Sequence, residues 1–254
     1  MITVRRLAAL AALAVVMPCL VSAAEPPATT RYAVSMNRIK PGSADAWRKV
    51  YKETYVPALK KTGVPSFSVG EVIFGGRPMF VHVRSLAKFA ELEAAPLLQQ
   101  AGLTQKQIDA ANAIRNAALV SEDRFVVTVQ NEFVVATTPG TSIRVAQYIR
   151  PNPGQADALR ALLKSDLLPA WQQAKQAGRI AGAGLATTGQ GRPGLIVTWV
   201  DYANLAALDA GNAIQQTMGA APYALFQAKL AQVGHVEDSM VTRREADLSY
   251  ANAN

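Results

Sequence analysis

Few residues in this 254-residue chain are of a type that does chemistry, and their spacing narrows the options further. There are two histidines, His82 and His235, and one cysteine, Cys19. A zinc or non-haem iron site needs several His, Cys or carboxylate ligands at suitable spacing. No His-x-x-x-His or paired-histidine constellation is present, so neither a metal nor another cofactor is expected. No phosphate loop or Gly-x-Gly-x-x-Gly appears, because the glycines from Gly182 to Gly191 sit in a strand and hairpin and precede no helix. Glu122-Asp123 and Glu237-Asp238 could be taken as carboxylate pairs for acid–base work. Neighbours in an extended segment point to opposite faces, however, so each pair reads as a turn between a helix and a last strand.

His82 is the single residue with the most chemical potential. Along Met79 to Arg84, alternation puts Phe80, His82 and Arg84 on one strand face and Met79, Val81 and Val83 on the other. The all-aliphatic face should meet helices, which would aim His82 and Arg84 into a space between sheets where a small ligand could bind. The same alternation groups Tyr32 with Val34, Met36 and Arg38, and Arg144 with Tyr148 and Arg150, without deciding which side each group takes. The candidate ligand-binding set is therefore His82, Arg84, Tyr32, Arg144 and Tyr148. His82 is the candidate catalytic group, as a base whose efficiency would depend on a pKa near the working pH. The competing reading is a hydrogen-bonded structural histidine.

The elements that must position these residues occur twice. Pro41-Gly42-Ser43-Ala44-Asp45-Ala46-Trp47-Arg48 matches Pro153-Gly154-Gln155-Ala156-Asp157-Ala158-Leu159-Arg160, and Pro57-Ala58 matches Pro169-Ala170 at the same shift of 112. Gly76-Arg77-Pro78 answers Gly191-Arg192-Pro193, Phe89 to Ala94 answers Leu205 to Ala210, and Glu122-Asp123 answers Glu237-Asp238. Thr198 stands where the first copy has His82, so at most one half could use that residue. The period is domain-sized, which divides the chain into 25–134 and 135–254 after a leader at 1–24.

Each copy reads β-α-β-β-α-β. Strands are expected at Arg31 to Arg38, Phe67 to Phe74, Met79 to Arg84 and Arg124 to Gln130, and again at Ile143 to Arg150, Ile180 to Thr188, Leu195 to Val200 and Ser239 to Arg244. The first helices carry apolar residues at helical spacing: Trp47, Val50, Tyr51, Val56 and Leu59, then Leu159, Leu162, Leu163, Leu167 and Trp171. Ser43 is a candidate N-cap, and Pro57 and Pro169 should kink or end their helices. Second helices are expected over Leu86 to Leu98 with Gln105 to Val120, and over Tyr202 to Gln215 with Ala221 to Val233. The fold class is α+β: two tandem ferredoxin-like units whose four-stranded antiparallel sheets, with helices on one face, pack their bare faces together as an intramolecular barrel.

With its Lys40-Pro41-Gly42 and Asn152-Pro153-Gly154 lead-ins, late helix prolines and following hairpins, the sequence resembles the dimeric α+β-barrel superfamily, and within it the NIPSNAP-like proteins. The resemblance implies an inter-sheet cavity of the kind cofactor-free oxygenases and haem-degrading enzymes use, but none of their catalytic motifs can be carried onto residues here.

Composition bears on partners. Arg5 and Arg6, an apolar run from Leu7 to Val16, Pro18, and Val21-Ser22-Ala23-Ala24 before Glu25 read as a cleaved secretory signal. Val16-Met17-Pro18 before Cys19 lacks the small residue that lipidation favours. The mature protein would then be periplasmic or secreted, free of disulfides, and without a stable membrane insertion. Its net charge falls from +8 to +6 as two arginines leave with the signal. The basic residues are scattered, with no aromatic-interleaved stripe for nucleic acid. The scarcity of nucleophiles and bases favours a module binding a small apolar ligand or a protein, either as a monomer or as a homodimer. The alternative is a cofactor-independent oxygenase or isomerase acting on an aromatic or apolar substrate.

Overall fold

The computed structural model describes residues 30–74 and 78–251. Residues 1–24 with Cys19, where a leader is expected, and Gly75-Gly76-Arg77 of the first hairpin lie outside the described residues.

Strand β1 (Arg31–Ile39) ends at Pro41-Gly42, where Gly42 takes φ 78° and reverses the chain into helix α1 (44–61). Ser43 holds the N-cap position, but its side chain makes no capping bond. Pro57 does not end this helix, because a wide turn at Tyr51–Tyr55 precedes it and Val56 N–H reaches back five residues to the Tyr51 carbonyl. Proline has no N–H and its ring crowds the carbonyl four residues earlier, and widening that turn relieves the clash. Helix α3 (156–176) handles Pro169 the same way, through Leu163–Leu167.

Strands β2 (Ser66–Val72) and β3 (Met79–Leu86) follow α1. The helix expected from Leu86 is replaced by two single turns, Phe89–Leu92 and Leu97–Gln100. Leu86 continues β3, Glu91 Oε1 accepts from the Ala87 and Lys88 amides, and Pro96 supplies no N–H. A Thr104–Gln107 capping box opens α2 (Gln105–Ala118). Strand β4 (Leu119–Val129) starts five residues earlier than expected because it pairs with β1 along its length. Glu122-Asp123 therefore lies inside a strand and not in a turn.

The second half repeats the order with β5 (Ile143–Pro151), α3, β6 (Gly182–Thr188), β7 (Ile196–Tyr202), α4 (Ala220–Val233) and β8 (Gly234–Arg244). Tyr202 belongs to β7, and Gly211 at φ 93° separates the short turns Ala206–Asp209 and Ala213–Met218, so no long helix forms there either. Strand β8 begins at Gly234, which places Glu237-Asp238 within it. A short β9 (Tyr250–Ala251) adds to β2.

All pairings are antiparallel, in the order β3-β1-β4-β6-β7-β5-β8-β2, with β2 returning to β3. The result is a closed eight-stranded barrel. Two seams join the halves: Val127–Val129 with 186–188 across β4 and β6, and 70–72 with 242–244 across β2 and β8. The expected face-to-face sheets are thus also joined at their edges, which pairs backbone groups that would otherwise be exposed. One apolar cluster lines the lumen, around Val34, Met36, Phe125, Val127, Tyr148 and Val197. Two more lie outside the wall, beneath the helices of each half, around Trp47 and Phe80 and around Leu159 and Trp171.

Candidate functional site

The face assignment of β3 is the reverse of the one expected. Met79, Val81 and Val83 pack into the lumen, and Phe80 and His82 lie outside the wall beneath α1. In a barrel covered by helices both faces of a strand are apolar, so an aliphatic row marks neither side, and here the aromatic fit to α1 decides. The Trp47 ring stacks on Phe80 at 4.3 Å and on Tyr51 at 4.0 Å. His82 sits 4.9 Å from Trp47, 4.7 Å from Tyr51 and 5.3 Å from Phe67.

In this dry aromatic box the imidazole has one polar neighbour. Asn37 Nδ2 lies 3.4 Å from His82 Nδ1. An N–H donor there leaves Nδ1 as acceptor and puts the ring proton on Nε2. Burial, the largest influence, lowers the His82 pKa to about 3, against a smaller upward pull from Glu122. At neutral pH His82 is therefore an uncharged imidazole, suited to donate a hydrogen bond and not to act as the base expected of it. Its Nε2, the Trp47 Nε1 and the Asn37 Oδ1 are all buried without a hydrogen-bond partner. Unpaired buried polar atoms cost about 1–3 kcal/mol each, so three in one cluster need a reason.

Behind the box runs a charged relay. Arg115 Nε donates to the Tyr51 hydroxyl at 3.1 Å and pairs with Glu122 at 2.7 Å, and Arg124 also binds Glu122 at 2.8 Å. Burial would raise the Glu122 carboxyl, but the hydrogen bonds from Arg124 and Arg115 outweigh it and hold it below its usual value. Burial pushes the Tyr51 hydroxyl up, so it stays protonated.

The other candidates divide between the two faces. Arg84 shares the outer face of β3, and burial lowers its pKa. Tyr32 and Tyr148 face the lumen. Alternation along β5 puts Arg144 on that side too, with its guanidinium 5.3 Å from the Trp199 ring and a two-pronged bond to Asp201 at 2.7 and 3.0 Å. Strands β1 and β5 run in the same direction, so Tyr32 and Arg144 lie toward one end and Tyr148 toward the other. The five residues therefore form no single site. Sequence reasoning missed Asn37, Arg115 and Arg192. The Arg192 guanidinium stands over Phe125 and Tyr148 at 5.7 and 5.5 Å. Nothing local marks Asn37, which stands between Met36 and Arg38 with Ser35 on its own face of β1, as a buried polar group. Among the described residues no group of three or more His, Cys, Asp or Glu could hold a metal, and no helix is long and apolar enough to cross a membrane.

No family model matches the chain, and no curated protein matches its sequence. Solved structures do match its architecture. A candidate monooxygenase from Fusobacterium nucleatum aligns over 90% of this chain and 100% of its own, with TM-score 0.57 and 10% identity. The chain shares the α+β-barrel fold of these neighbours. An anthrone oxidase-like protein aligns to the barrel over 89% of this chain and 94% of its own, with TM-score 0.55 and 11% identity. A candidate monooxygenase from Lactobacillus acidophilus aligns over 88% and 96%, with TM-score 0.54 and 10% identity. At such identities the likeness is one of fold.

Proposed function

We propose that the protein is an exported binding module that holds a small, flat, largely apolar molecule between β3 and α1 of its first half. The cluster of unpartnered buried atoms carries this reading. Trp47 Nε1–H and His82 Nε2–H are donors and Asn37 Oδ1 is an acceptor, set among rings that stack on one another and would have to part to take an aromatic body between them. A carbonyl or phenolic oxygen is the group that could take both donors. Entry requires Trp47 or Tyr51 to swing aside, since both are buried. The 1–24 pattern supports export to the periplasm or beyond. The wide turns at Tyr51–Tyr55 and Leu163–Leu167, 112 residues apart like the proline motifs, support two NIPSNAP-like units, 25–134 and 135–254, arising by duplication.

A second reading has its own observation. Two N–H donors in a water-free site would also stabilise negative charge developing on an oxygen, the requirement of an oxygenase or isomerase whose substrate supplies the reactivity. The fold neighbours described as a monooxygenase or anthrone oxidase-like are compatible with it.

Purification from the native envelope followed by mass spectrometry tests both. The expected result is a bound aromatic molecule bearing such an oxygen, whose affinity falls at least tenfold in Trp47→Phe, where the ring stays and the N–H goes. Conversion of that molecule by the wild type, reduced in His82→Ala, would select the enzyme. Repeated recovery of empty protein, or affinity unchanged in both variants, would overturn the proposal.

A further inference from the structure

Parts of the lumen are looser than the most tightly packed points beneath the helices. Beneath the helices Trp47, Val69, Phe80, Leu159, Leu163 and Leu185 are 0% exposed. Inside the closed wall exposure is uneven: Leu195 keeps 1% and Ala186 2%, whereas Val72, Val127, Ala146 and Val197 each keep 8%. Further inward-facing side chains, Tyr32, Val81, Val83, Val129 and Trp199, are only partly buried. Residues in mid-barrel can keep such surface only if space remains between them. Trp199 lies against the wall because its cross-strand neighbour is Gly184, where a Cβ would come within 2.2 Å of the indole.

At one end of this apolar space sits a cation. Arg192, in the turn between β6 and β7, lies over the inward rings of Phe125 and Tyr148, and its Nη1 approaches Met36 Sδ at 3.8 Å. No carboxylate pairs with it among the described residues, whereas Arg48, Arg115, Arg144 and Arg150 all have one. The Tyr148 hydroxyl, on the same ring, makes no hydrogen bond among the described residues. A guanidinium drawn onto aromatic rings is partly desolvated, which strengthens its attraction for an anion that arrives with its own apolar body.

We propose that the lumen is a second ligand site, taking an apolar molecule with a single carboxylate held by Arg192 and Tyr148. The carboxylate accepts two parallel N–H bonds from Arg192 and one O–H bond from Tyr148, and the apolar body runs inward past Val127 and Val197 toward Val83 and Trp199. Asp238, the cross-strand neighbour of Tyr148, adds a negative charge near this end, so a carboxylate with its single charge suits Arg192 better than a doubly charged phosphate ester. This site is separate from the His82 cluster, which lies on the other side of the β3 wall.

Titration of the full chain with decanoate and with decan-1-ol, read by Trp199 emission against a Trp199→Phe control, tests the proposal. Saturable decanoate binding is expected. Arg192→Gln should weaken it at least tenfold and leave decan-1-ol unchanged. Val83→Phe, which fills the lumen, should weaken both, and His82→Ala should affect neither. Circular dichroism checks that each variant is folded, and Arg192→Lys, which keeps the charge but loses the fork, should fall between. No saturable decanoate binding, or affinity indifferent to Arg192→Gln and Val83→Phe, would overturn the lumen site and leave the His82 reading untouched.

Discussion

At the scale of single residues, His82 couples the candidate site to stability. An unfolded histidine titrates near pH 6.5 and the folded one at about 3, so between those values the unfolded chain holds the extra proton. Stability is fully present above the upper value and falls as the pH drops through the interval, by up to about 5 kcal/mol for a fully buried ring. Urea unfolding at pH 7, 5 and 4 should show the wild type losing more stability on acidification than His82→Leu. A difference between the two that does not change with pH would mean that the folded imidazole can take up a proton. The same burial explains why the residue that looked most like a base is a hydrogen-bond donor.

At the scale of elements, the last segment of the chain secures the first half. After β8, Leu248 is buried in the cluster beneath α1, Ser249 Oγ accepts from the Val69 amide at 2.9 Å, and the Tyr250 hydroxyl donates to the Val64 carbonyl at 3.1 Å. Arg48 on α1 binds both Glu71 of β2 and Glu245 of this segment, at 2.8 and 3.1 Å. Such partly exposed ion pairs add little, so the apolar anchor dominates. Leu248→Ala should destabilise the protein by about 3 kcal/mol, read from the urea midpoint at constant m-value. A loss below about 0.5 kcal/mol, the size of an ordinary surface change, would show that the segment only rests on the surface.

At the scale of the whole molecule, the barrel ties its halves together by backbone pairing at two seams, by a shared lumen cluster and by the terminal segment. Neither half encloses its inner face alone. Trp47 reports the first half and Trp171 the second, and both are buried. Variants retaining one of them, with Trp199 and the other replaced by Phe, should unfold at one common denaturant concentration that coincides with the loss of helix by circular dichroism. Two separated transitions would make the halves independent domains.

The α+β class, the order of elements and the helix faces were legible in the sequence because they are local. Trp47, Val50, Tyr51, Val56 and Leu59 recur at helical spacing, strands alternate, and Gly42 marks a turn that needs positive φ. The early starts of β4 and β8 were not legible, because Leu119–Arg124 and Gly234–Asp238 become strands only through pairing with β1 and β5. Which side of β3 faces the helices was likewise a tertiary decision. Alternation tells two faces apart but not inside from outside when apolar packing covers both. The candidate site lay beyond the sequence for the same reason: Asn37, Trp47 and His82 come from three elements, and only the closing of the barrel under α1 brings them together and strips away their water.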